Sequence, residues 1–282
     1  MTNRTLQNLY LRAARNRWLQ KAYYDLWTVW DWMQGPIPEL KPPRKVIAEI
    51  GGRWELGPQM VKFIKSFADL KPNESVLEIG VGIGRIAIPM IQYLEPPGRF
   101  ESFDIVKKYI RWCQLEVTSK YPHGNFTHVD LYNKQYNRIG RFRGETFDFP
   151  YESSSFDFVY LTSVFTHLLP GEAKNYISEI SRVLKPGGRC FATFFLLNEE
   201  SERCLAEGKG AFALEPLGDS GAQVRNKDVP EEFIALPESL VIDEFSKVGM
   251  VIKQGSEWIR WGSWCGRKQS YEFQDMLLLY KR

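Results

Sequence analysis

The 282-residue sequence lacks several features that would assign it to a membrane, secreted or metal-binding class. No apolar run approaches the roughly 20 residues of a membrane-spanning helix. The polar start Met-Thr-Asn-Arg does not resemble a secretory signal. The four cysteines form no C-x-x-C pair and only three histidines could join them, so we expect no metal site. Free thiols and a cytoplasmic location are the resulting expectations.

Charge of one sign is not in excess either. The chain has 37 Lys and Arg residues and 34 Asp and Glu residues, and its net charge of +3 is too small to indicate a nucleic acid or a membrane as a partner. We find no concentrated basic stripe that would argue for a nucleic-acid substrate. The hydrophobic content of 44% and the charged content of 25% are typical of a globular protein. The length predicts about one to two domains.

What the sequence does contain is a glycine-rich turn in residues 76–85, Val-Leu-Glu-Ile-Gly-Val-Gly-Ile-Gly-Arg. An apolar run typical of a buried strand is followed by Gly80, Gly82 and Gly84, and then by apolar residues at helical spacing. This pattern predicts the first strand-turn-helix unit of an open α/β sheet, in which ligands bind beyond the carboxyl ends of the strands. A dinucleotide fingerprint would require G-x-G-x-x-G, and Arg85 stands where its third small residue belongs. A NAD-dependent oxidoreductase is therefore kept only as an alternative.

Besides the glycine turn, the carboxylate of Asp104 is a candidate ligand-binding group. It ends a strand predicted over residues 99–103 and lies about 20 residues past Gly84. A carboxylate at this point can accept hydrogen bonds from both hydroxyls of a ribose. It could instead cap the amino terminus of a helix predicted over residues 106–119. Because the glycine turn precedes it, we favour ribose binding, although both roles can hold at once.

Three blocks, at residues 78–84, 149–167 and 182–188, carry a resemblance to a known family. They contain E-x-G-x-G-x-G, then F-P-Y followed by S-F-D-x-V and S-V-F-x-H, and finally R-V-L-K-P-G-G. Over residues 51–282 the chain resembles the class I S-adenosylmethionine-dependent methyltransferases of the small-molecule type. The resemblance implies an enzyme with S-adenosyl-L-methionine as its cofactor. It also implies an α/β fold, a Rossmann-like, doubly wound, seven-stranded sheet whose last strand is antiparallel.

The resemblance further implies a cofactor site at the carboxyl ends of the first strands. Residues 131–144 look like a loop inserted where related enzymes have a short connection, so the adenine contact falls either to Asp130 or to the backbone around Thr146 and Phe147. The predicted cofactor-binding residues are Glu78, Gly80, Gly82, Gly84, Asp104, Ile105, Asp130, Thr146, Phe147, Thr162 and Ser163. The last two would face the methionine part of the cofactor.

His167 is the candidate catalytic residue. It follows the predicted fourth strand, at the mouth of the implied site, where a general base could take the proton of a hydroxyl acceptor. Alternatively, it is a helix-start residue that hydrogen-bonds a loop and orders the site. His128 lies inside a predicted strand and His123 in a turn, so both fit packing roles.

The class of methyl acceptor can be inferred only from motifs that the sequence lacks. The chain has no N-P-P-Y or D-P-P-Y after the fourth strand, no P-C motif of the cytosine-5 enzymes and no paired acids of the catechol enzymes. By elimination we predict a small-molecule, glycan or lipid acceptor and no nucleic acid, with O-methylation ahead of N-methylation. A catalytically idle S-adenosylmethionine-binding interaction or regulatory module is the alternative.

The chain is predicted to have two parts. Residues 1–50 form an aromatic and basic helical extension with a Pro-rich linker, and residues 51–282 form the methyltransferase domain. Aromatic residues at helical spacing would dock the extension on the main domain. Alternatively, the extension is a lid over the substrate, or residues 10–33 make a peripheral membrane contact. Residues 198–235 are longer than an ordinary connection, and we interpret them as an insertion or a lid.

Overall fold

The computed structural model describes residues 40–42, 46–47, 54–252, 259–268 and 272–282. The chain divides into two compact units, Met1–Leu56 and Gly57–Arg282. Among the described residues of the first unit, Lys41 Nζ lies 3.2 Å from Glu55 Oε1. The predicted aromatic helix and the membrane contact suggested for residues 10–33 lie outside the described residues. The domain boundary near residue 50 stays a prediction.

The described part of the chain contains six α-helices. They are α1 Leu56–Phe67, α2 Ala87–Tyr93, α3 Lys107–Trp112, α4 Pro170–Val183, α5 Glu199–Ala206 and α6 Glu238–Lys247. One π-helical turn, Cys113–Val117, continues α3, and short 3-10 turns are formed by Gly144–Thr146, Phe165–His167 and Pro230–Glu232. Within the described residues, no helix combines the length and the apolar character needed to cross a membrane.

Twelve strands are described. They are β1 Ser75–Ile79, β2 Arg99–Asp104, β3 Gly124–His128, β4 Phe156–Leu161, β5 Leu184–Phe194, β6 Leu196–Leu197, β7 Glu215–Pro216, β8 Gln223–Val224, β9 Ile234–Pro237, β10 Met250–Ile252, β11 Ile259–Arg260 and β12 Asp275–Lys281.

The main sheet has the strand order β10-β12-β5-β4-β1-β2-β3. The five strands from β5 to β3 along this order are parallel. Strand β12 is antiparallel to both β5 and β10, and β11 adds a short antiparallel pair to β12. The predicted Rossmann-like sheet of seven strands with an antiparallel last strand is therefore confirmed, with β11 as an addition. The chain order reverses between β1 and β4, which places the ligand crevice at their carboxyl ends.

Burial on both faces explains the central position of β1. Leu77 and Ile79 belong to the same buried cluster as Ile177 and Ile180 of α4. Because strand side chains alternate, Glu78 points to the opposite face. Parallel strands covered by helices on both sides are typically apolar throughout. Glu78 is the one charged residue of β1, so its burial requires a polar partner.

Residues 198–235, interpreted as an insertion or a lid, fold into α5, β7, β8 and the beginning of β9. Strands β6, β9, β8 and β7 form a second, four-stranded sheet in that order. The rings of Phe195 and Phe233 are stacked with centroids 4.1 Å apart, and Trp264 lies 5.4 Å from Phe195. These rings form a small buried cluster separate from the main core. The role of the segment as a lid stays a prediction.

Asp275, the first residue of β12, connects the two sheets and is fully buried. Its carboxylate accepts hydrogen bonds from the N–H groups of Leu196 and Gly262 at 2.8 Å. It also accepts from Trp264 Nε1 at 2.7 Å and from Arg267 Nη1 at 2.9 Å. Burial raises the pKa of Asp275, and these partners oppose the rise.

Some elements end at different residues from those predicted. The spacing of the apolar residues predicts a helix from Gly84, but α2 begins at Ala87, because Gly84 still has a positive φ angle. Strand β3 ends at His128, so Asp130 lies in the loop that follows. Residues 106–119 form α3 and then a π-helical turn rather than one regular helix.

Candidate active site

The glycine turn adopts the left-handed backbone that glycine enters without strain. The φ angle is 74° at Gly80, 55° at Gly82 and 77° at Gly84. A Cβ atom on Gly80 would lie 2.4 Å from Val164 Cγ2, so the turn after β1 packs directly against the segment after β4. The absence of a side chain at Gly80 therefore permits close contact between the segments that follow the paired strands β1 and β4.

Asp104 links this turn to the end of β2. Its Oδ2 atom accepts a hydrogen bond from the Gly82 N–H at 2.8 Å, and its Oδ1 atom accepts one from the Val106 N–H at 2.7 Å. Burial raises the pKa of Asp104, and the two backbone hydrogen bonds oppose the rise. Each oxygen keeps a second lone pair, with which it can accept a hydrogen bond from a hydroxyl. The residues present therefore fit the ribose of a nucleoside cofactor.

Glu78 lies beneath the glycine turn and is only 3% exposed. The Tyr160 hydroxyl, on the adjacent β4, donates a hydrogen bond to Glu78 Oε2 at 2.8 Å. Burial raises the pKa of Glu78 well above its ordinary value, and Tyr160 and Arg85 oppose the rise. Glu78 thus supports the turn from within the sheet, and its direct contact with the cofactor stays a prediction. Tyr160 was missed because it reads as one more aromatic residue of an apolar strand.

Ser163 is held in a strained conformation after β4. Its φ angle is 56°, which costs a non-glycine residue on the order of 1–3 kcal/mol. The Ser163 N–H donates to Thr193 Oγ1 at 2.8 Å, and Gln274 Nε2 donates to Ser163 Oγ at 2.8 Å. Thr193 Oγ1 in turn donates to Gln274 Oε1 at 2.6 Å. The contacts of Ser163 and the half-buried Thr162 with the cofactor stay predictions.

The structure also places the residues proposed for adenine. Arg141 Nε donates a hydrogen bond to Asp130 Oδ2 at 2.7 Å, and this partner lowers the pKa of Asp130. The Phe147 carbonyl accepts a hydrogen bond from Asn175 Nδ2 at 2.9 Å, and the Phe147 ring lies 6.0 Å from Phe103 at the end of β2. Two further predicted cofactor-binding residues lie nearby. Thr146 is exposed, and Ile105 is half-buried and packs against the main core. A choice between Asp130 and the 146–147 backbone stays a prediction.

His167 is held in one tautomer. Its Nδ1 atom lies 2.7 Å from the Glu231 carbonyl oxygen, which can only accept, so Nδ1 carries the proton. The lone pair therefore belongs to Nε2, which lies 3.3 Å from the Tyr136 hydroxyl. Burial lowers the pKa of His167. Asn133 Nδ2 donates to the His167 carbonyl at 3.1 Å, which fixes the backbone as well.

Glu231 is a residue of this site that sequence reasoning missed. It is 4% exposed, and its Oε1 atom accepts a hydrogen bond from the Lys134 N–H at 3.0 Å. Within the described part of the chain, its buried Oε2 atom has no hydrogen-bond partner. Glu231 lies in the segment interpreted as an insertion, and no local pattern connects it to His167.

Comparison with known proteins identifies the class. Residues 77–192 match the sequence model of a protein family described as "Methyltransferase domain". An S-adenosylmethionine-dependent methyltransferase structure from Aquifex aeolicus is 15% identical, covers 86% of this chain and 100% of that chain, and has a TM-score of 0.51. That likeness supports the fold. Residues 77–192 therefore match a methyltransferase domain, and the chain has the fold of this S-adenosylmethionine-dependent methyltransferase structure. The predicted family, enzyme class and cofactor are confirmed at this level.

Two curated relatives match part of the chain. The tRNA N(3)-cytidine methyltransferase METTL2 of Gallus gallus is 29% identical over 145 residues, which are 48% of this chain and 34% of that protein. The protein of the same name from Xenopus tropicalis is 27% identical over 141 residues, 47% of this chain and 38% of that protein. The chain thus spans little more than a third of the length of the curated relatives it matches.

These relatives contradict the prediction of a small-molecule, glycan or lipid acceptor without nucleic acid. The prediction was wrong because it relied on net charge and on missing motifs of other methyltransferases. Net charge averages over the whole chain and hides local concentrations, such as residues 131–144, which contain four basic residues and no acidic residue. Missing motifs exclude only the reactions that those motifs serve.

Proposed function

We propose that this protein transfers the methyl group of S-adenosylmethionine to a base of an RNA molecule. The observation that carries the acceptor class is the similarity to two tRNA N(3)-cytidine methyltransferases. Their names specify a ring nitrogen, so we favour N-methylation over the O-methylation expected by elimination.

The residues of the crevice have positioning roles in this proposal. S-adenosylmethionine, when bound, supplies a methyl group that an acceptor lone pair can displace from sulfur. Asp104 holds the ribose hydroxyls, and the turn at Gly80 and Gly82 lets the backbone approach the cofactor closely. Orientation of two reactants can contribute about 7–11 kcal/mol to lowering a barrier. A ring nitrogen attacks with its own lone pair, so the reaction needs orientation more than it needs a strong base.

We assign His167 to the acceptor side of the crevice. Its lowered pKa keeps the ring neutral at pH 7, and its tautomer leaves Nε2 free to accept a hydrogen bond from an amino group. After methyl transfer, Nε2 can take up a proton that the methylated base releases. The Tyr136 hydroxyl contacts Nε2 in this structure, so acceptor binding replaces that hydrogen bond.

Transfer of tritium from labelled S-adenosylmethionine tests the proposal. The acceptors are unmodified tRNA transcripts, other RNAs and DNA, followed by nucleoside mass spectrometry to locate the methyl group. We expect label in an RNA base with the parent protein, and much less label with Asp104→Ala at a cofactor concentration that is limiting for this variant. A parent protein that binds S-adenosylmethionine but labels no nucleic acid, while labelling a small molecule, contradicts the proposal.

A further inference from the structure

The 131–144 loop exposes apolar side chains beside positive charge. Ile139 is 89% exposed, Phe142 56% and Tyr136 46%, and in the described part of the chain only two other large hydrophobic residues are comparably exposed. The loop contains four basic residues and no acidic one, and the basic residues are Lys134, Arg138, Arg141 and Arg143. Exposed apolar side chains gathered in one short segment indicate a binding surface.

Backbone hydrogen bonds give this loop a defined shape. The N–H groups of Arg141 and Phe142 donate to the Asp130 carbonyl at 3.0 and 3.1 Å, and the Tyr132 N–H donates to the Phe142 carbonyl at 2.8 Å. A Cβ atom on Gly140 would lie 2.3 Å from the facing main chain, so the two sides of the loop are in close contact there. A surface that is already shaped loses little conformational entropy when it binds a partner.

The cationic groups of the loop remain accessible. The Arg141 side chain is 76% exposed although its Nε pairs with Asp130. The Arg143 guanidinium lies over the Tyr132 ring, 4.4 Å from its centroid, and Arg138 is exposed. These cations can therefore meet an anionic ligand without a change in the fold.

The loop lies at the acceptor side of the crevice. The Tyr136 and His167 rings meet edge to face with centroids 5.1 Å apart. The Glu231 carboxylate accepts a hydrogen bond from the Lys134 N–H. The main-chain carbonyl of the same Glu231 fixes the His167 tautomer. A polymer that delivers a base to His167 Nε2 must therefore contact this loop.

We propose that the 131–144 loop is the surface on which a single-stranded segment of the acceptor RNA docks. This inference rests on the proposed function. Unpaired bases stack on exposed rings and arginine planes, and the basic side chains neutralise the phosphates. A membrane-binding segment would separate its apolar residues from its basic ones. Here aromatic, apolar and basic residues alternate along the loop, which favours RNA over an anionic bilayer.

The test measures binding of a fluorescent, unstructured RNA by anisotropy at several salt concentrations. The first variant, Arg138→Ser with Arg143→Ser, removes two cations, and each lost phosphate contact should flatten the plot of log affinity against log salt by about 0.7. The expected decrease in slope is therefore about 1.4. The second variant, Phe142→Ala, should weaken binding by about fivefold or more at every salt concentration, because it removes a stacking platform.

The matched control is Lys120→Ser with Lys247→Ser. These exposed residues precede β3 and β10, so they lie at the amino ends of the strands, away from the crevice at the carboxyl ends. Their removal changes the net charge by the same amount as the loop variant. We expect no change in the salt slope. Titration with S-adenosylmethionine, unchanged in all variants, verifies that each protein is folded.

An equal loss of RNA affinity in the loop variant and the control overturns the inference. So does a parent protein that binds phosphatidylserine vesicles through this loop but binds no RNA. If the parent methylates RNA and the loop variant does so with the same KM, docking fails while the proposed function stands. If RNA binds through the loop but no base is methylated, the proposed function fails while the docking surface stands.

Discussion

The proposed cofactor half of the active site consists of the turn after β1 and the end of β2. It differs in its assembly from the proposed acceptor half, which consists of His167, Glu231 and the 131–144 loop. In the cofactor half, Asp104 and Gly82 are 22 residues apart in the chain. In the acceptor half, His167 is bonded to Glu231 across 64 residues, and Lys134 to Glu231 across 97.

This difference suggests how the domain accommodates different acceptors. The cofactor half depends on one strand-turn-helix unit and its neighbouring strand, so its geometry follows from the sheet itself. The acceptor half depends on two segments added to the sheet, the 131–144 loop and residues 198–235. Changes in those segments can alter the acceptor while the cofactor crevice stays the same. We therefore expect variants to affect the two halves separately.

The largest expected effect comes from the buried carboxylate that holds the second sheet to the main one. Asp275→Ala leaves the Arg267 guanidinium without its buried charged partner, and should lower the free energy of unfolding by about 3–5 kcal/mol. Urea denaturation measures the change. Glu200→Gln is the control, because Glu200 pairs with the same arginine from a half-exposed position and should cost less than about 1 kcal/mol. Equal effects of the two variants would contradict this account.

A smaller effect should separate backbone strain from close packing in the cofactor half. Gly80→Ala adds a Cβ atom 2.4 Å from Val164 Cγ2 at a φ angle of 74°, and should cost about 2–4 kcal/mol. Gly187→Ala is the matched control, with a φ angle of 76° and no atom within 4 Å of the new Cβ. It should cost about 1 kcal/mol, the backbone contribution alone. Thermal or urea unfolding of both variants gives the difference, and an equal loss of stability would refute the packing argument.

Within the acceptor half, Glu231 offers a finer distinction. Glu231→Ala removes the acceptor of the Lys134 N–H and should lower the free energy of unfolding by about 1–2 kcal/mol. Glu231→Gln keeps an oxygen for that bond and removes a buried charge, so it should be neutral within about 0.5 kcal/mol or slightly stabilising. Both variants keep the main-chain carbonyl that His167 contacts. A larger loss of stability in Glu231→Gln than in Glu231→Ala would show that the buried Oε2 atom has a hydrogen-bond partner in solution.

The smallest expected effect is a pH dependence of stability from His167. Burial lowers its folded pKa below the unfolded value of 6.5. Its neutral form is therefore favoured in the folded state, and the full stability is present above pH 6.5. As the pH falls below 6.5, the unfolded chain binds a proton first and stability decreases until the folded pKa is passed. Unfolding curves measured between pH 8 and about 5 should show a decrease in the free energy of unfolding of the parent below pH 6.5 that is smaller in His167→Gln. Identical pH profiles would contradict the burial of a neutral His167.

The geometry of the proposed cofactor half could largely be predicted from the sequence, for physical reasons that particular residues illustrate. Alternating glycines after an apolar strand have few uses other than a turn with positive φ angles, and Gly80 and Gly84 adopt them. Asp104 was predicted at the end of the next strand along the chain, and the pairing of β1 with β2 places it beside the turn. The seven-stranded main sheet was implied by the resemblance to the methyltransferase family rather than by any single pattern.

Apart from His167, the proposed acceptor half could not be predicted, because its contacts join segments that carry no local signature. Glu231 and Gln274 read as ordinary polar residues, and their roles at His167 and Ser163 arise only when distant parts of the chain meet. The second sheet was missed because β6, β7 and β8 are each two residues long, too short for a periodic pattern. Tyr136 and Arg138 belong to residues 131–144, which the sequence identified only as an inserted loop.

The most direct test of this account measures the cofactor affinity and the methylation of RNA together for two variants, Asp104→Ala and His167→Ala. Calorimetric titration with S-adenosylmethionine gives the affinity, and tritium transfer to unmodified tRNA gives the turnover. We expect Asp104→Ala to weaken cofactor binding by about 3 kcal/mol, or roughly a hundredfold. We expect His167→Ala to bind the cofactor as the parent does and to methylate RNA more slowly. Undiminished turnover in His167→Ala, or unchanged cofactor affinity in Asp104→Ala, would contradict the division of the site into these two halves.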